Sequence, residues 1–137
     1  MTLRNLIVTA MVVGAGLPGS GAFQAKADDT MVYELRTYTA APGKMPELQK
    51  RFRDHTTQIF EKHGMKNIGY WVPADKPDTL IYILAHKTRE AANKSWAEFM
   101  ADPEWQRVRK ESEKNGSLLT KRPERVYMTP TDFSPLK

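Results

Sequence analysis

The sequence predicts an α+β fold of ferredoxin-like type. Its order is β-α-β-β-α-β, with a four-stranded antiparallel sheet carrying its helices on one face. Two observations predict it. Residues 31–39 alternate, and 79–86 run nearly all apolar, both at strand length and rich in β-branched and aromatic residues. Between and after these runs the apolar period switches to that of a helix, and turn residues mark each change.

The elements follow in order. In 31–39, Tyr33, Leu35 and Thr37 share one face, and Val32, Glu34, Arg36 and Tyr38 share the other. Ala41-Pro42-Gly43 turns the chain. From 44 to 62, Leu48, Phe52, His55 and Ile59 form one narrow helical stripe that His63 extends, and Gly64 stops the helix. A second strand at 67–72 and a polar, Pro-containing link lead to 79–86, whose composition suits the middle of a sheet. Thr88 caps a helix to about Met100, with Ala92, Ser95, Trp96 and Phe99 on one side. Asp102-Pro103 is an N-cap followed by a first-turn proline, so a new helix starts there with Trp105, Val108 and Ser112 inward. Asn115-Gly116 ends it, and 124–129 is a last short strand. One sheet face is then left without helices. Exposed apolar area of that size marks an interface, and a second copy packed sheet to sheet is expected.

Residues 1–27 stand apart. They hold no acid and only Arg4 and Lys26 as bases, an apolar run from Leu6, a Pro18-Gly19 break and Ala25-Lys26-Ala27. That pattern describes a secretory signal peptide cut after Ala27, leaving a single domain over 28–137 in the periplasm or outside the cell. The apolar run is shorter than the roughly 20 residues of a permanent span, and the mature part offers no membrane span.

Of the 137 residues, 40% are hydrophobic and 27% charged, the balance of a globular domain rather than a disordered one. The absence of Cys excludes disulfides, thiol catalysis and Cys-ligated metals. The net charge of +5 includes two bases from the leader, so the domain itself is only weakly basic, which argues against nucleic acid. Lys44, Lys50, Arg51, Arg53, Lys62 and Lys66 are interleaved with acids and read as a solvated surface. The three histidines, 55, 63 and 86, lack metal-ligand spacing, and no phosphate loop or nucleophile elbow is present. Neither a metal nor a cofactor is expected.

His55 is the candidate catalytic residue, because the stripe places an imidazole among apolar neighbours, facing the sheet. Tyr82, His86, Trp96 and Arg36 are its expected companions in a pocket for a small apolar or aromatic ligand. The plainer alternative is a core histidine satisfied by hydrogen bonding. Glu34 and Arg36 point the same way and suit an internal ion pair or a substrate clamp.

The order of Tyr33-Glu34-Leu35-Arg36-Thr37-Tyr38, Pro42-Gly43, Phe52, His55, His63-Gly64-Met65, Gly69-Tyr70-Trp71, Leu80 to His86, Arg89-Glu90-Ala91-Ala92, Ser95-Trp96, Asp102-Pro103-Glu104-Trp105 and Pro130 to Ser134 resembles the NIPSNAP family, in the dimeric α+β barrel superfamily. The resemblance implies a ferredoxin-like subunit and a homodimer. It implies no settled activity. Eukaryotic members are mitochondrial and linked to vesicle traffic and mitochondrial quality control, from which a chain with an export segment departs. Related families on the fold include cofactor-independent monooxygenases of phenolic compounds and haem-degrading enzymes. By that kinship, the alternatives to a binding protein are a cofactor-independent oxygenase of a phenolic compound, a non-enzymatic protein-interaction module, or a haem binder.

Overall fold

The computed structural model describes residues 30–137; the expected leader lies outside them. The elements are β1 (Val32–Thr39), α1 (Met45–Arg51), a π-helical turn (Phe52–Thr56), α2 (Thr57–Lys62), β2 (Lys66–Trp71), β3 (Thr79–His86), α3 (Arg89–Ala101), α4 (Pro103–Ser112) and β4 (Glu124–Met128). The sheet is antiparallel throughout, in the order β2-β3-β1-β4. The predicted architecture is therefore the observed one, with β3 central.

The local chemistry explains the boundaries. Thr88 Oγ1 accepts from the Ala91 N–H (3.0 Å) and opens α3, and Asp102 Oδ1 accepts from the Glu104 N–H (2.7 Å) and opens α4. In β2 an extra residue bulges between Asn67 and Gly69, and a Cβ on Gly69 would collide with the Trp71 ring. Asn67, turned to the helical side, donates to the Thr57 carbonyl (2.9 Å) and accepts from the Tyr70 hydroxyl.

The π-helical turn overturns one expectation. The Thr57 N–H bonds the Phe52 carbonyl five residues back, and the Thr56 and Thr57 hydroxyls donate to the Arg51 and Phe52 carbonyls, each at 3.2 Å. One residue is thus inserted into the helical phase. Phe52, Thr56, Ile59 and Phe60 are buried, whereas His55 is rotated out of the stripe. It lies half-buried in a polar groove between this segment and α4, beside Lys50, Asp54, Arg107 and Glu111, and does not face the sheet.

Tyr82, fully buried at the centre of β3, anchors the core. The rings of Tyr38, Phe52, Phe60 and Tyr70 lie 5.1–5.9 Å from it. Leu48, Leu84, Phe99 and Leu118 complete the layer, each fully buried apolar side chain contributing about 1.5–3 kcal/mol. On the other sheet face the register sets Leu35 between Ile83 and Val126, and Thr37 beside Ile81. Trp71 and Val126 are exposed, and the Tyr33 hydroxyl donates to the Lys137 main-chain carbonyl, so the tail folds over one end of that face.

A clamp joins α2 to α4. The buried Asp102 carboxylate meets Lys62 Nζ at 2.8 Å and His63 Nε2 at 2.6 Å. Lys62 and then His63 hold its pKa far below the usual carboxylate range. A depressed carboxylate adds stability that is complete above its unfolded pKa and disappears as the pH falls. Asp102→Asn keeps the cap and removes the charge. Its melting temperature should fall below the parent's at pH 7, and the gap should close as the pH drops below about 4. A gap that stays constant from pH 7 to pH 3 would contradict the clamp.

Candidate functional site

The cleft begins with the alternation of β1. Glu34, Arg36 and Tyr38 point to the helices, under α3. Glu34 is completely buried. The Trp96 indole N–H donates to both of its oxygens (2.7 and 2.9 Å), Arg36 Nη1 stands 3.7 Å away, and His86 Nε2 lies 3.5 Å away at the limit of hydrogen-bond reach. Burial pushes the Glu34 pKa up, but His86, Tyr127, Trp96 and Arg36 outweigh it and hold the carboxyl below its ordinary value. The group is an anchored anion. The Arg36 guanidinium lies over the Trp96 ring, 4.4 Å from its centroid.

Beside this cluster a cleft of about 710 Å³ opens between the sheet, α3, α4 and the segment before β4. Four aromatic side chains line it: Tyr38, Trp96, Phe99 and Trp105. Five arginines line it too: Arg36, Arg51, Arg109, Arg122 and Arg125. Glu113 is the one carboxylate on this wall among the described residues, and it is shared by Arg51 (3.3 Å) and Arg109 (3.4 Å). Arg51 is 5% exposed, lies 5.1 Å over Trp105 and also bonds Ser112 Oγ. Burial pulls its pKa down, partly offset by Glu113.

The expected site residues are thus divided. Arg36 and Trp96 line the cleft. His86 stands behind them against Glu34. Tyr82 reaches the wall through its hydroxyl, which donates to the Tyr38 hydroxyl (3.0 Å), and burial pushes its phenol pKa well up. His55 lies in the separate groove on the far side of Arg51. The Glu34–Arg36 ion pair is present. Arg51, whose interleaving with acids predicts a solvated base, is buried instead. Arg125 carries no signal in the sequence; the β1–β4 register brings it directly opposite Arg36.

These features can hold a small, flat molecule by its faces and bond it at its edge. The NIPSNAP family model matches residues 33–135, most of the chain. The chain belongs to the NIPSNAP family. Among solved structures, a NIPSNAP family protein of unknown function from Agrobacterium tumefaciens is 28% identical, with a TM-score of 0.69 over 80% of this chain and 96% of that one. A NIPSNAP-like domain protein from Burkholderia xenovorans is 24% identical, with a TM-score of 0.67 over 78% and 90%. A provisionally assigned antibiotic biosynthesis monooxygenase from Nitrosomonas europaea, 15% identical with a TM-score of 0.57 over 78% and 94%, shares the fold. Comparison with the curated proteins gives no match.

Within this NIPSNAP chain the Glu34 anchor is open to direct measurement. Glu34→Gln leaves Arg36 without its buried counter-charge and weakens the bonds from Trp96. Urea unfolding should show a loss of about 2–3 kcal/mol. A change below about 0.5 kcal/mol would mean that the anchor contributes nothing measurable.

Proposed function

We propose that this NIPSNAP protein is an exported homodimer that binds a small apolar or aromatic molecule in the cleft between sheet and helices. The observation that carries the reading is the cleft itself. At about 710 Å³, walled by Tyr38, Trp96, Phe99 and Trp105, it falls in the size range of small-molecule sites. The dimer is supported by the helix-free sheet face, where Leu35, Ile81, Ile83, Trp71 and Val126 lie together. A second copy of the same face would cover them, and the family's superfamily kinship favours that arrangement. Export is supported by the composition of residues 1–27.

Native mass spectrometry of the full chain, expressed in a bacterial host and recovered from its periplasm, tests all three parts. The expected species is a dimer of chains beginning at Asp28, with extra mass that leaves on collisional heating. A monomer at micromolar concentration, an uncut leader or a bare polypeptide mass would each overturn the corresponding part. Ile83→Lys places a charge in the shared face and should convert the dimer to monomer in sedimentation. An unchanged dimer would move the interface elsewhere.

A further inference from the structure

We propose that the ligand of this cleft carries an anionic group, a carboxylate, sulfonate or phosphate, on its aromatic body, and that Arg36, Arg51 and Arg125 receive it. The inference rests on the preceding reading that the cleft binds a small molecule, and it assigns the chemical class of that molecule.

Three independent features converge. The first is the sheet register. Arg36 on β1 and Arg125 on β4 are direct cross-strand partners, and both line the cleft. Like charges set opposite each other across a ladder destabilise the pair, and the nearby carboxylate, Glu34, sits against Arg36 and not Arg125. The second is the imbalance of charge on the wall. Glu34 sits against Arg36 and Glu113 is shared by Arg51 and Arg109, while Arg122 and Arg125 have no carboxylate within salt-bridge distance among the described residues. The third is unused donors. Arg36 Nε, Arg51 Nε and Trp105 Nε1 are buried N–H groups without a hydrogen-bond partner among the described residues. Arg51 and Trp105 are each more than nine-tenths buried, and a buried donor left unpaired is costly.

The Arg36 and Arg51 guanidinium groups are held over the Trp96 and Trp105 rings, and a guanidinium fork is the geometry that grips a planar carboxylate or a phosphoryl group through two bonds at once. Aromatic walls take the body of the same molecule. The cleft therefore reads two properties of one ligand, and neither an unsubstituted hydrocarbon nor a bare inorganic anion satisfies both.

The test compares 2-naphthoate, its neutral counterpart 2-naphthamide, and inorganic sulfate. Trp71→Phe removes the one tryptophan outside the cleft, so fluorescence then reports Trp96 and Trp105, both on its wall. The expected result is saturable quenching by naphthoate at least about tenfold tighter than by naphthamide, as charge-assisted bonds require. Sulfate should compete only at far higher concentration. Arg36→Gln should abolish that preference. The double variant Arg122→Gln/Arg125→Gln alters exposed residues only, so it tests the charge even if Arg36→Gln does not fold. It should weaken naphthoate several-fold and leave naphthamide unchanged. Equal binding of naphthoate and naphthamide, or a double variant without effect, overturns the anion assignment and leaves the aromatic site standing. Failure of both aromatic probes to bind overturns the site as well.

Discussion

The arrangement of this domain depends on a carboxylate sealed beneath an indole. Glu34 is the only acid among the side chains turned from β1 toward the helices, and it receives the Trp96 N–H on both oxygens. That bond fixes how α3 lies across the sheet. Arg36, drawn to the same carboxylate, is held against the Trp96 ring. A buried ion pair of this kind adds little net stability over apolar packing, but it dictates geometry, because each partner is costly to leave alone. The roof of the cleft and the position of its central guanidinium follow from one interaction.

β1 divides the work of the molecule by parity. Its even positions, Glu34, Arg36 and Tyr38, face the helices and build the cleft. Its odd positions, Leu35 and Thr37, face the helix-free side and belong to the proposed contact with a second chain. A substitution on one set leaves the other face chemically untouched, although both share one backbone. The two sheet faces can therefore diverge separately in relatives that keep the fold.

Much of the fold was legible in the sequence because its signals are local. Thr88 and Asp102-Pro103 announce helix starts through their own hydrogen bonding, and the apolar run of 79–86 marks the central strand. The site was legible only in part. Arg36 and Trp96 were found because a strand and a helix with clear periods carry them. The other arginines come from α1, α4, the segment after it and β4, and each looks like solvated surface until tertiary contact assembles them. Arg51 shows the difficulty well: its neighbours Lys50 and Arg53 are the solvent-facing bases that a charge count expects. His55 misled for another reason. A fixed period of 3.6 residues assumes an uninterrupted helix, and nothing in the spacing of apolar residues reveals a turn that holds one residue more.

That wider turn at Phe52–Thr56 also ties the halves of the segment together in a way that composition alone does not show. Leu48 on one side and Ile59 with Phe60 on the other both reach the sheet because the extra residue absorbs the phase between them. Wound as an uninterrupted helix, the same residues would swing one half by about 100°, and either Leu48 or the Ile59–Phe60 pair would leave the interior. Deleting one of the five positions would instead restore a regular helix with both halves still in phase. The segment can therefore shed a residue at this turn, unlike in the regular helix on either side, without turning a buried side chain outward, and His55 owes its place in the groove to that surplus.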